Sequence, residues 1–390
     1  TYHQRYTTWE CVRGQEGDNW RPLVRFDGGP YPTANVCGDP KERWVEQDFA
    51  NRTAMQSPEE QPQFCTFRKG VDFLRENHEK DNWFVQIETF DPHEPFFSHA
   101  KYKDQFPDQY KGPFCDWPDY RPVNRSDSPE LIDHLRKQYA AVLKMCDENL
   151  GKILDAMDEY DLWKDTMLIV NTDHGFLLAE HGQWAKCHCP FYAEVAHIPL
   201  FIWDPRSKRK GVRTDKLVQT IDLPATLLEY FGQKLPENME GRPLRPVLEK
   251  NEQVRDGALF GIFGGQVCCT DGHWVYMRSP VSGNQPKHEY TLMPMRHGGR
   301  RAFMDSEVLR TMKLHGPFAF TKGISVLELD NNSYVSQADY PTMLFCLDRD
   351  PRELQTIEDQ EREQAMTKLM VKMMKDNDCP EEQFIRMGLI

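Results

Sequence analysis

The sequence predicts an α/β protein with a mostly parallel central sheet and flanking helices, followed by a smaller α+β domain on an antiparallel sheet. Three observations carry this expectation. Met167-Leu168-Ile169-Val170 and Ile198-Pro199-Leu200-Phe201-Ile202 are short apolar runs of the kind buried strands need. An amphipathic pattern beginning at Pro129 and running to Met157 separates the first of these runs from an earlier strand-like stretch, as a parallel crossover requires. Past Gly241 the pattern changes to short strands, two of them separated by Asp271-Gly272, a hairpin turn pair. The expected division is residues 1–250 for the first domain and 251–390 for the second.

In chain order, residues 1–60 are rich in Trp, Pro and Gly and read as packed irregular loop, with Arg13-Gly14-Gln15-Glu16 and Asp27-Gly28-Gly29-Pro30-Tyr31-Pro32 among its landmarks. Phe64 to Asn77 has helical spacing through Val71, Phe73 and Leu74. Trp83 to Phe90 then reads as a strand, delivering Asp91-Pro92-His93 just past its carboxyl end. The stretch from Ser98 to Asp127 is long for a connection. It reads either as the edge of a pocket or as a surface loop with its own aromatic cluster around Phe114 and Trp117.

Ser128 is an N-cap with Pro129 at the first helical position. Ile132, Leu135, Tyr139, Val142, Leu143, Cys146, Leu150, Ile153, Leu154 and Met157 follow at steps of mostly three and four. The strand from Met167 runs straight into Thr172-Asp173-His174-Gly175. Ligands in open α/β sheets bind beyond the carboxyl ends of strands, so Asp173 and His174 are placed for a metal or for proton transfer. The alternative is that both cap a turn. If the strands ending at Phe90 and at Val170 are parallel, His93 and His174 face one sheet edge. Arg206 to Arg213 is a basic run, read as a solvated turn or, less simply, as a substrate-steering patch. Near the end, Ala365, Leu369, Met370 and Met373 form the expected apolar face of a terminal helix.

With 48 Lys and Arg against 61 Asp and Glu, the net charge of -13 argues against nucleic acid as the main partner, so an anionic substrate needs a local positive site. No apolar run approaches the roughly 20 residues of a membrane helix. Eleven cysteines, with Cys268 beside Cys269 and the cluster Cys187-His188-Cys189, do not form the pattern of an extracellular disulfide framework and lean toward a reducing, cytoplasmic compartment. A zinc site at Cys187-His188-Cys189 is disfavoured, because one-residue spacing puts neighbouring side chains on opposite sides of an extended chain.

Asn171-Thr172-Asp173-His174-Gly175, then Ala179-Glu180-His181-Gly182, then Trp184 and Lys186 together resemble the sulfatase motif of the alkaline phosphatase superfamily. Tyr192, Glu194, the strand from His197 and the helix Ile221-Asp222-Leu223-Pro224-Ala225-Thr226-Leu227-Leu228 extend the resemblance, and Leu344 to Glu353 resembles the last strand and turn of sulfatase C-terminal domains. The resemblance implies hydrolysis of a sulfuric ester on a sulfated small molecule or carbohydrate. It implies a divalent cation, calcium, with Asp173 and His174 matching its ligands and His174 standing where many members have Asn. Lys186 matches the lysine on the sulfate oxygens, and His93 the histidine on the leaving-group side.

The family's nucleophile is a formylglycine made in a Cys/Ser-x-Pro-x-Arg motif, and here no Cys or Ser has Pro two residues on. An Asp-Asp pair and a Gly-Lys-x-His segment are likewise missing from the sequence. The expectation is therefore a chain that begins partway through the fold, inactive as it stands. A phosphonate monoester or phosphodiester hydrolase of the same superfamily, or a non-catalytic descendant, remains open, since tetrahedral phosphorus and sulfur esters call for similar contacts.

Overall fold

The structure, a computed structural model, describes residues 2–22, 43–293 and 306–390. The sequence landmark at 27–32 lies outside the described residues. The chain divides into two compact units, one of Thr1–Met167 with Leu177–Ala185 and one of Leu168–Phe176 with Lys186–Ile390.

In the first unit the helix Pro62–Asn77 packs against the long helix Pro129–Glu159. The long helix starts as its sequence dictates: the Ser128 hydroxyl accepts the Leu131 N–H, and Pro129 occupies the first turn, where its missing N–H is not needed. Its buried stripe includes Leu131, Leu135, Val142, Met145, Asn149, Ile153 and Ala156. Leu143 and Leu154, core positions by their spacing, are instead exposed. The stripe passes through a polar residue that apolar spacing skips: Asn149 Nδ2 donates to Gln63 Oε1 at 2.9 Å and so is satisfied inside the helix pair.

Residues 83–90 correct the expectation of a strand. Burial alternates along them with period two, with Phe84 and Phe90 on the exposed side. The backbone is extended, yet it joins no sheet of the described residues. Instead it is held by side-chain packing: a Cβ at Gly70 would collide with Ile87, so this glycine lets the helix Pro62–Asn77 approach the extended run closely. Alternation sets a conformation, and a ladder needs a neighbour that alternation does not supply.

The segment from Ser98 to Asp127 is packed. Trp117 and Cys115 are buried, and Arg52 of the helix Arg43–Arg52 reaches Asp116 at 2.6 Å and Asp48 at 2.7 Å. The guanidinium also lies over the rings of Phe49 and Phe97 at 4.8 and 4.7 Å, so the loop is tied down by a buried cation. Its far end holds a small ribbon of β2 (Leu177–Leu178) and β3 (Trp184–Ala185). There Trp184 N–H donates to the Arg121 carbonyl and its indole N–H to Asp127. On the other side, Arg136 donates to the Leu178 carbonyl and to Glu180 at 2.9 Å.

In the second unit β1 (Leu168–Asn171) pairs with β4 (Leu200–Trp203), and the pairing is antiparallel. The α/β class holds as expected, and this pair runs antiparallel within it. The connection between them holds no helix longer than Ala193–Ala196, so nothing there could make the crossover a parallel neighbour needs, whereas an antiparallel return needs none. The ladders among the described residues are all antiparallel.

The C-terminal part is the expected α+β arrangement. β5 (Ala258–Gly261), β6 (Val267–Thr270), β7 (Trp274–Arg278) and β11 (Met343–Cys346) form one sheet in the order β11-β7-β6-β5. A second holds β8 (His288–Thr291), β10 (Val326–Asp330) and β9 (Lys313–His315) in that order. Strand pleating sends Cys269, Tyr276 and Leu344 to one face of the larger sheet, under the helix Gln360–Asp376, and Cys268, Val275, Met277 and Phe345 to the other. Adjacent Cys268 and Cys269 thus serve two separate cores. The terminal helix buries Met366, Met370 and Met374, one every fourth residue, while Ala365 is exposed and Leu369 and Met373 are flanking. The buried face is therefore rotated by about one position from the expected one.

The basic run from Arg206 is partly structural. Arg206 pairs with Asp204 and Glu229 at 2.7 and 2.9 Å, and Arg209 donates to the Leu248 carbonyl. Among the described residues no helix is long and apolar enough to cross a membrane.

Candidate functional site

The strand-end motif belongs to the second unit. β1 stops at Asn171, and the chain turns at Asp173-His174-Gly175 because Gly175 lies against the segment Ala193–Ala196: its N–H donates to the Val195 carbonyl at 2.9 Å, and a Cβ there would strike the Glu194 carbonyl oxygen. Asp173 Oδ1 accepts the His174 N–H at 2.8 Å, so the residue does cap its own turn. The capping leaves its carboxylate 82% exposed.

His174 is half-buried, with Nδ1 3.0 Å from the Gly175 carbonyl and Nε2 3.5 Å from Asp173 Oδ2. A carbonyl only accepts, so Nδ1 carries a proton, and Nε2 stands beside the carboxylate. An imidazole anchored through one nitrogen with the other beside an acid is the orientation metal-ligating histidines adopt. Turn cap and ligand pair are compatible at this strand end.

Lys186 opens the next part of the same unit and is 6% exposed, its ammonium 5.8 Å from the Phe176 ring centroid. Lysines are seldom buried this far unless their charge is used. Cys187 is exposed and Cys189 buried, so the two sulfurs of the cysteine cluster face different surroundings.

His93 belongs to the first unit and is described there. Its Nδ1 lies 2.6 Å from the Glu94 carbonyl, fixing the proton on Nδ1, and its ring packs on Phe90 at 4.3 Å. In the cationic form the second proton sits on Nε2, the atom that would release it. Two residues earlier, Asp91 is buried and accepts from the Gln15 amide at 3.1 Å. The Arg-Gly-Gln-Glu segment therefore braces the His93 turn. Neither spacing nor periodicity signals this contact, because its two residues are far apart in the chain.

Burial pushes the Asp91 carboxyl up to about 7, with the Gln15 hydrogen bond opposing. A raised carboxyl contributes its stability in full below the unfolded carboxylate range and loses it as pH rises through about 7. Asp48 and Glu353, raised by burial to about 6 and about 7, act in the same direction. Urea-unfolding stability should therefore fall from about pH 5 to about pH 7.5. Asp91→Asn should shallow that fall by up to about 1.4 kcal/mol per pH unit. An unchanged slope in the variant would show that Asp91 is ionised throughout.

A hard divalent cation such as calcium takes roughly six to eight oxygens. The strand end brings one carboxylate and one imidazole together, and the described residues contain no group of three or more His, Cys, Asp or Glu able to hold an ion. They do not by themselves make up a cation shell.

Comparison with known proteins matches the Sulfatase family model to residues 31–233. The chain is 26% identical to an arylsulfatase of Clostridium perfringens over 207 residues, covering 48% of this chain and 42% of that enzyme. It thus spans less than half the length of this curated relative. Among solved structures, a protein in complex with its substrate D-glucosamine-2-N,6-O-disulfate superimposes with a TM-score of 0.55 at 15% identity, over 82% of this chain and 71% of that one. The phosphonate monoester hydrolase of Agrobacterium radiobacter does so with a TM-score of 0.56 at 18% identity, over 82% and 62%.

Proposed function

Because the chain belongs to the sulfatase family of the alkaline phosphatase superfamily, we propose that the whole protein hydrolyses the sulfuric ester of a sulfated carbohydrate or small molecule. The observation that supports this best is Lys186, a buried ammonium beside Phe176 in the unit that carries Asp173 and His174 at the end of β1. A sulfate monoester is a compact anion, and in a chain of net charge -13 it needs such a fixed local cation.

In this reading Lys186 holds the non-bridging sulfate oxygens, where charge grows in the transition state. His93, its ring set by the Glu94 carbonyl and Phe90, gives its Nε2 proton to the departing alkoxide. Asp173 and His174 would contribute two ligands to the divalent cation expected of the family, which we take to be calcium because a carboxylate oxygen suits a hard ion, and the whole protein would have to supply the remaining oxygens. The nucleophile is a formylglycine that no Cys or Ser of this sequence is placed to supply, so the proposal concerns the whole protein.

The phosphonate hydrolase reading shares these contacts and is separated by substrate. The whole protein, assayed on matched aryl sulfate, phosphate diester and phosphonate monoester, should have its highest kcat/KM on the sulfate. A higher value on the phosphonate would replace the sulfatase assignment with the phosphonate one.

A further inference from the structure

Beyond these groups the structure shows how the strand-end turn is held from a distant part of the same unit. β11 ends at Cys346 and the chain folds back through a tight turn, with Asp350 N–H donating to the Cys346 carbonyl and Glu353 N–H to the Asp350 carbonyl. Glu353 stands there with φ of 52°, a left-handed conformation unusual for Glu, and it is 3% exposed. A strained, buried carboxylate is costly in both respects, so something must be gained from where it points.

It points at the segment that backs Gly175. Glu353 Oε2 accepts the Ala193 N–H at 2.7 Å, at the start of the turn Ala193–Ala196. Tyr192, just before, packs edge-on against Phe345 of β11 with ring centroids 6.3 Å apart. The turn is thus fastened to β11 by a hydrogen bond and a ring contact on adjacent residues. Its Val195 carbonyl in turn receives the Gly175 N–H, and its Glu194 carbonyl fills the space where Gly175 lacks a side chain.

We propose that Glu353 is a positioning residue for the candidate active site: through Ala193 and Val195 it fixes the backbone of the Asp173-His174-Gly175 turn and so the direction of both side chains. The inference rests on the sulfatase reading for its effect on turnover, and on geometry alone for its effect on the turn. Burial pushes the Glu353 carboxyl up to about 7, yet the link survives either ionisation state, because a carboxyl oxygen accepts the Ala193 N–H whether or not the group is protonated.

The test is amide hydrogen exchange on the whole protein, read at Gly175 and at residues 193–196 in three variants. Glu353→Gln keeps an accepting oxygen at the same reach, Glu353→Asp keeps the charge but withdraws it, and Glu353→Ala removes both. Loss of one buried hydrogen bond should speed local exchange about tenfold in the Ala and Asp variants, while Gln stays near wild type. Exchange in the helix Pro129–Glu159 should not change, which separates a local release from general destabilisation. Should the Ala variant fail to fold, the Asp and Gln pair decides the matter. Wild-type protection of Gly175 in Glu353→Asp would overturn the proposal.

On an aryl sulfate the Ala and Asp variants should lose kcat about tenfold with KM nearly constant, and Gln should restore it. Released exchange with unchanged kcat would overturn the positioning role. A wild-type protein inactive on every ester would overturn the sulfatase reading, and the exchange result would still decide whether Glu353 holds the turn.

Discussion

Replacing Arg255 by Ala should destabilise the second unit by about 3–5 kcal/mol. Asp222 is fully buried at the start of the helix Asp222–Tyr230, and Arg255 is 7% exposed just ahead of β5. The guanidinium meets both carboxylate oxygens, with Nε 3.1 Å from Oδ2, and Nη1 donates to Gln219 Oε1 at 2.9 Å. The carboxylate also accepts the Gln219 and Arg242 N–H groups, each at 2.8 Å.

Removing the cation therefore leaves a buried charge held by two amides, and the cost is mainly that of the stranded carboxylate. A second substitution tests this account. Arg255→Met with Asp222→Asn removes both charges while Asn retains an accepting oxygen, so the double variant should be more stable than Arg255→Ala in urea. A double variant as unstable as the single one would show that the loss lies in packing around the guanidinium stem.

Much of the fold and the backbone of the candidate site were legible because they are local. The N-cap at Ser128, the strand ending at Asn171, the glycine turn after His174 and the hairpin at Asp271-Gly272 each depend on residues within a few positions of one another. Pairings between distant segments were not legible. Residues 83–90 alternate as a strand should yet join no sheet of the described residues, and β1 and β4 pair in the direction their connection allows.

The same limit hid the long-range polar contacts. Gln15 with Asp91, Asp222 with Arg255 and Glu353 with Ala193 join polar residues across long stretches of sequence, and neither partner carries a local signal. Hydrophobic spacing fails for a related reason at Asn149, where a polar residue completes an otherwise apolar stripe through Gln63.

Lys186→Ala in the whole protein should lower turnover of an aryl sulfate by about 100-fold or more, the scale of losing one preorganised charge contact. The ammonium is buried, so it has already lost much of its water before a sulfate arrives and meets the developing charge without reorganising. Its contact should strengthen as charge gathers on the non-bridging oxygens. The loss should therefore fall on kcat, with kcat/KM reduced at least as much.

Truncation to Ala also opens space beside Phe176, so Lys186→Met serves as the control: it keeps the stem against the ring and removes only the charge. If charge is the cause, the Met variant should be as slow as the Ala variant while unfolding no more readily than the wild type. A Met variant within about threefold of wild-type kcat would remove Lys186 from the site and, with it, the main support for an anionic ester as the substrate.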